Sequence, residues 1–195
     1  MTKPDLGRLI DLQRLLYAYR NVKRVVHHPN HELENDTEHS YALAMTAWYL
    51  APHFPALDRD KVIRYALAHD VVEVHAGDTY VFGDAASLAS KHDREASALQ
   101  RLQTEWPDFT QLTDAIMAYE ARIDEEARFI YALDKIMPVM AIYIADGHTW
   151  KQEGLTVERL HAVKVDKVAL SPEIAPYYDD LHQLLLESPH LIPPR

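Results

Sequence analysis

The chain has 195 residues and no cysteine, which fits one domain and excludes disulfides, thiolate zinc sites and cysteine nucleophiles. Glycine is scarce, at five, and no glycine-rich phosphate loop can be drawn, which argues against P-loop and dinucleotide folds. A formal net charge of −10 disfavours stable nucleic-acid binding, because that affinity rests on Lys and Arg neutralising phosphates. It leaves room for a small phosphorylated ligand held by one or two local arginines.

Helical periodicity dominates from the start, and strand signals are weak throughout. Leu6 to Tyr19 reads as a first helix with Leu9, Leu12, Leu15 and Leu16 on one side. His27 to Asp36 reads as a solvated, irregular loop, its histidines included. Thr37 to His53 is the second helix, stopped near Pro52 and Pro55. Asp58 caps a third, running to about Val74, and residues 76–90 read as a loop. Lys91 to Glu105 is helical. Asp108 with Gln111 resembles a capping box for a helix through Tyr119. Asp124 opens a long helix to about Ala145, bent at Pro138. Thr156 to about Val168 is another, and Ser171-Pro172 starts a last helix of about 172–187. The expected class is all-α, a single domain over 1–195. The stripe Trp48, Tyr49, Tyr65, Tyr131 and Tyr143 is expected to be core packing.

The N-terminal run Met1-Thr2-Lys3-Pro4-Asp5-Leu6 lacks the charged-then-apolar layout of a signal peptide. The most apolar stretch, 129–145, carries Asp134, Lys135 and Pro138 and is short for a membrane span. A soluble cytoplasmic protein is the expectation.

Three apolar segments each carry polar residues of metal-ligand type. His39 lies near the start of the second helix, His69-Asp70 sits inside Val62–Glu73, and Asp134 interrupts Phe129–Met137. A charge buried in such a segment is costly unless paired or bound to a metal. Spacing alone leaves two readings open, a buried polar pair or a shared N/O metal site. Glu73 lies three and four residues beyond Asp70 and His69, on their helix face. A second His-Asp pair, His92-Asp93, has polar neighbours and reads as surface.

The order His39, His69-Asp70, Asp134 resembles the H…HD…D signature of the HD-domain superfamily of metal-dependent phosphohydrolases. Glu34-Asn35-Asp36-Thr37-Glu38-His39-Ser40, His69-Asp70-Val71-Val72-Glu73 through Gly77-Asp78-Thr79, and Ala132-Leu133-Asp134-Lys135 are similar to motifs of the branch containing bacterial 5′-deoxynucleotidases. The resemblance covers about residues 6–168. It implies an HD-domain helical bundle with one divalent metal (Mn, Co, Zn, Fe or Ni) on His39, His69, Asp70 and Asp134. It also implies a homodimer, and hydrolysis of a nucleoside 5′-monophosphate, the 2′-deoxy form included, by a metal-activated water. Only His75 and His92 lie between the HD pair and the last Asp, which favours one metal over two.

Glu73 is the candidate for handling the proton of that water or of the leaving oxygen, and Asp78 matches a family position facing the substrate. Arg20 matches an upstream family arginine, with Arg14 six residues before it and Lys135 beside Asp134 as further phosphate contacts. Relatives place a Gly-Trp in this upstream region. It is absent here, and Tyr17 is the substitute aromatic wall. Other readings are a different phosphate ester, a nucleoside di- or triphosphate, or a non-catalytic metal and nucleotide sensor.

Overall fold

The computed structural model describes residues 3–195; residues 1 and 2 of the expected 1–195 domain lie outside the described residues. α1 (Leu6–Arg20) leads into a small antiparallel hairpin, β1 (Lys23–His27) and β2 (Leu33–Asn35). α2 (Asp36–Leu50) ends in a 3-10 turn, Ala51–His53. α3 (Arg59–Ala68) and the short α4 (Glu73–Ala76) follow, then α5 (Ala85–Glu105), α6 (Thr110–Ala121) and α7 (Glu125–Ile144). α8 (His148–Glu153), α9 (Val157–Val168) and α10 (Ala175–Leu186) complete the chain.

α7 is the central helix. Phe129, Ile130, Leu133, Ile136, Val139 and Ile142 are all buried in the main core, which also takes Leu43 from α2, Val62 and Tyr65 from α3, Leu160 from α9 and Tyr178 from α10. Full burial of one such aliphatic or aromatic side chain contributes roughly 1.5–3 kcal/mol. α3 is pinned to the start of α7 by polar contacts as well. Lys61 donates to Glu126 at 3.0 Å, and the Tyr65 hydroxyl donates to Asp124 at 2.9 Å. A second, smaller core joins α1, α5 and α6 through Leu15, Leu102, Trp106 and Ile116.

The helical class holds, with differences in detail. The segment His27 to Asp36, read as an irregular loop, holds the last residue of β1, the hairpin turn and β2; β1 itself carries the β-branched pair Val25-Val26. Asp108 does not cap α6. It pairs with Arg8 of α1, and α6 starts after Phe109 without a side-chain cap. Asp84 caps α5 earlier than expected, accepting from the Ser87 amide, so the loop shrinks to about 77–84. The Ser171 hydroxyl donates to Glu173 at 2.6 Å, and α10 begins only at Ala175. α7 runs on through Pro138 as one helix. Trp48 (58 % exposed) and Tyr49 (74 %) lie on the outer face of α2, not in the core, whereas Tyr65 is buried. Leu185, Leu191 and Ile192 are buried within the chain.

The largest difference concerns the His-Asp pair. It does not lie mid-helix: α3 stops at Ala68, with His69 as its C-cap residue. The backbone then tightens, with Val71 bonding to Ala68, Glu73 to Asp70, Val74 to Val71 and His75 to Val72. These are three-residue spacings, at which side chains i and i+3 eclipse, so Asp70 and Glu73 stack on one side. The turn ends at Gly77, whose φ of 73° and ψ of 150° suit glycine far better than any L residue. An added Cβ there would meet no atom within 4 Å, so its cost is backbone strain alone. Gly77→Ala is expected to lower unfolding free energy by about 1–3 kcal/mol in urea titration; an unchanged midpoint would contradict the assigned strain.

Candidate metal centre

The site is assembled from helix ends. Asn35 caps α2 by accepting from the Glu38 amide at 3.1 Å, and Glu38 accepts from the Asn35 amide at 3.1 Å, a complete capping box. That box fixes the first turn of α2 and with it His39, the next residue. The tightened turn after α3 delivers His69, Asp70 and Glu73, and α7 delivers Asp134. One ligand-type atom from each of His39, His69, Asp70 and Asp134 lies within 4.8 Å of all the others.

His39 Nε2 stands 2.9 Å from Asp134 Oδ1, and His69 Nε2 stands 2.9 Å from Asp70 Oδ2. His69 Nδ1 donates to the Ala66 carbonyl at 2.9 Å, which leaves Nε2 as a bare acceptor. Nε2 is buried without a hydrogen-bond partner, as are one oxygen each of Glu34, Asp36 and Glu73. Buried polar atoms are rarely left so. The unpartnered His69 Nε2 within the four-residue group fits a cation, and two imidazoles with two carboxylates form a set suited to a first-row divalent ion. Asp36, Asp70 and Glu73 form an overlapping acidic group that shares Asp70.

The centre of this charge is Arg24, from β1, which the sequence reading missed. Its side chain is 12 % exposed and lies 3.2 Å from each of Glu34, Asp36 and Asp70. The available signal was weak, an arginine beside Lys23 among the valines of Val22–Val26. Arg94 of α5 was missed too. It donates to the Ala76 carbonyl and, at 2.6 Å, to the Thr79 hydroxyl, and so fastens the loop that carries Asp78.

A cavity of about 490 Å³ opens beside the ligand set, and His69, Asp70, Glu73, Asp78, Asp134, Lys135 and Arg24 line it. The Lys135 ammonium pairs with Asp134. Arg14, Tyr17 and Arg20 are not brought to the site. All three are exposed on α1, Tyr17 by 65 %, and Arg14 pairs with Asp11. The helical spacing of α1 turns them to solvent, while the chain needs the hairpin turn after Arg20 to bring an arginine inward. His92 reaches only the exposed rim of the cavity, and His75 bonds to Glu105.

The chain belongs to the HD domain family, which matches residues 17–175. Among solved structures, it is similar to a predicted metal-dependent phosphohydrolase from Magnetospirillum magnetotacticum MS-1, at 28 % identity and a TM-score of 0.81 over 99 % of this chain and 100 % of that one. The PH0347 protein of Pyrococcus horikoshii OT3 shares the fold, at 15 % identity, a TM-score of 0.62 and coverage of 90 % and 97 %. Two curated relatives are the 5′-deoxynucleotidase HDDC2 proteins of Mus musculus (30 % identical) and Homo sapiens (29 %), each over 132 residues. That stretch is 67 % of this chain and 61 % and 59 % of theirs, so it spans about three-fifths of the relatives it matches.

The buried charges set a pH dependence in the metal-stripped protein. Burial pushes Glu34 up to about 7; burial and Asp70 push Asp36 up to about 6 and Glu73 up to about 11. Burial and Arg24 push His39 down to about 4. Between pH 5 and 7 Glu73 and most of Glu34, with Asp36 in the lower half of the range, hold protons in the folded state that the unfolded chain has released. Against them, His39 has lost a proton that the unfolded chain keeps below about 6.5, and the lowered Lys164 begins to lose one near pH 7; these losses are smaller than the carboxyl gain. The folded state therefore binds more protons, and stability falls as pH rises across this window. The urea midpoint of stripped protein is expected to be lower at pH 7 than at pH 5. Added Mn²⁺ should reverse the order, because metal ligands must be deprotonated. A midpoint that climbs from pH 5 to 7 without metal would refute this charge assignment.

Proposed function

We propose that this protein is a metal-dependent phosphohydrolase that cleaves a nucleoside 5′-monophosphate, the 2′-deoxy form included, to nucleoside and phosphate. The observation that carries the reading is the convergence of His39, His69, Asp70 and Asp134, the last three on the wall of a nucleotide-sized cavity. The names of the mouse and human relatives support it, as does that of the Magnetospirillum protein.

One divalent ion held by His39, His69, Asp70 and Asp134 would polarise a phosphoryl oxygen and lower the pKa of water. Glu73 handles the proton. Its carboxyl is buried beside Asp70 and one oxygen lacks a protein partner; ionised beside a bound cation, it would accept from an attacking water and then donate to the leaving 5′ oxygen. Arg24 and Lys135 supply positive charge around the phosphate. Asp78, held by the Arg94-fastened loop, contacts the substrate from the cavity wall. Arg24 takes the phosphate role expected of Arg20.

A sensor that only binds metal and nucleotide would have no use for Glu73. Glu73→Gln is therefore expected to keep the metal and lose about 10²–10⁴-fold in turnover, read as phosphate released from a panel of nucleoside mono-, di- and triphosphates, with Asp70→Ala as blank. Wild-type turnover in the Glu73 variant would remove it from catalysis, and no release from any substrate by metal-loaded wild type would favour the sensor.

No helix among the described residues is long and apolar enough to cross a membrane, and the reading includes a cytoplasmic location. It also includes a homodimer, supported by the exposed apolar side chains Tyr41, Met45, Trp48 and Tyr49 along α2.

A further inference from the structure

The cavity has a basic wall that runs from beside Asp134 to α9. Lys135 reaches it from α7, Lys91 from α5, and Lys164 and Lys167 from α9. Their surroundings differ. Lys135 pairs with Asp134, and Lys91 pairs with Glu95 at 3.3 Å. The only other lysine ion pairs among the described residues are those of Lys61, so Lys164 and Lys167 have none. Lys164 is nonetheless 7 % exposed, a position lysine almost never holds unpaired. Burial, with Lys135 nearby, pushes its ammonium down to about 7, and the same two causes lower Lys167. Folding alone gives no reason for a cation here, since methionine would fill the space without the desolvation cost. An anion in the cavity does. One phosphate at the metal centre would be matched by the ion, Arg24 and Lys135, whereas a second anionic group would be repelled by Asp70 and Asp78 unless it turned toward α9.

We propose that Lys164 and Lys167 form a second anion subsite that takes a further phosphate of the same nucleotide, so that the preferred ligand carries two phosphates. This rests on the metal centre being a phosphate-ester site, and it extends the ligand of that site beyond the nucleoside 5′-monophosphate to one with a further phosphate. The cavity, at about 490 Å³, is in the size range that encloses such ligands. The second phosphate sits either on the first, as in a 5′-diphosphate, or across the sugar, as in a 3′,5′-bisphosphate.

Calorimetric titration separates these cases without requiring turnover. Metal-loaded full-length protein carrying Glu73→Gln is titrated with a nucleoside 5′-monophosphate, its 5′-diphosphate and its 3′,5′-bisphosphate. The measurements are repeated with Lys164→Met, Lys167→Gln and both together. One of the two-phosphate ligands is expected to bind at least tenfold tighter than the monophosphate, and the double substitution should erase that advantage. Lys164→Met should melt no lower than its parent, since it removes a buried unpaired charge. If that variant fails to fold, Lys167→Gln alone must still cut the advantage threefold or more. Equal binding of all three ligands, or an advantage that survives the double substitution, overturns the second subsite and leaves the monophosphate reading standing. No binding by any of the three overturns both.

Discussion

Glu34, Asp36, Asp70, Glu73, Asp78 and Asp134 crowd around one arginine, Arg24, at the meeting point of the hairpin, α2, the turn after α3 and α7. So much like charge cannot be buried on the strength of one guanidinium and the Lys135 ammonium. The need to balance it shapes what surrounds it. The capping box of α2 aims His39, the 3-10 winding after Ala68 aims Asp70 and Glu73, and the α3–α7 clamps at Asp124 and Glu126 hold the two halves of the ligand set in register. The apolar face of α7 then serves two ends, since the helix that fills the core with Phe129, Ile130 and Leu133 also presents Asp134 between them.

Much of this was legible in the sequence because it is local. The long apolar periodicities gave the helices, and Asp58 and Asp124 were readable as caps since each accepts from the amide three residues on. The four candidate ligand residues stood out as polar interruptions in apolar segments, and their order carried the family resemblance. What sequence could not supply was long-range pairing. Asp108 looked like a cap until Arg8, a hundred positions away, claimed it. Arg20 looked like the phosphate arginine because helical spacing says nothing of the turn that follows α1, and the hairpin that places Arg24 is held by cross-strand bonds to residues ten or so positions on. Trp48 and Tyr49 read as core because aromatic content does not distinguish a buried stripe from an outward face.

The basic wall is a further case. Lys164 and Lys167 look like ordinary surface lysines in the α9 pattern, and only the packing of α9 against α7 turns Lys164 inward. The cavity thus separates two kinds of charge. The metal side is acidic, while Lys164 and Lys167 on the α9 side are cationic without an ion-pair partner. Such a division suits a ligand that is itself anionic at two places. The loop 77–84, fastened by Arg94 and turned at Gly77, forms part of the same wall through Asp78, Tyr80 and Phe82.

The central claim is that the buried acids and imidazoles exist to hold one cation. Anomalous diffraction from a crystal of the Mn²⁺-loaded protein tests it most directly. The account predicts a single anomalous peak per chain within coordinating reach of His39, His69, Asp70 and Asp134. A peak held instead by Asp36 and Glu73 without the histidines, or no peak at all in crystals grown with the metal, would contradict it.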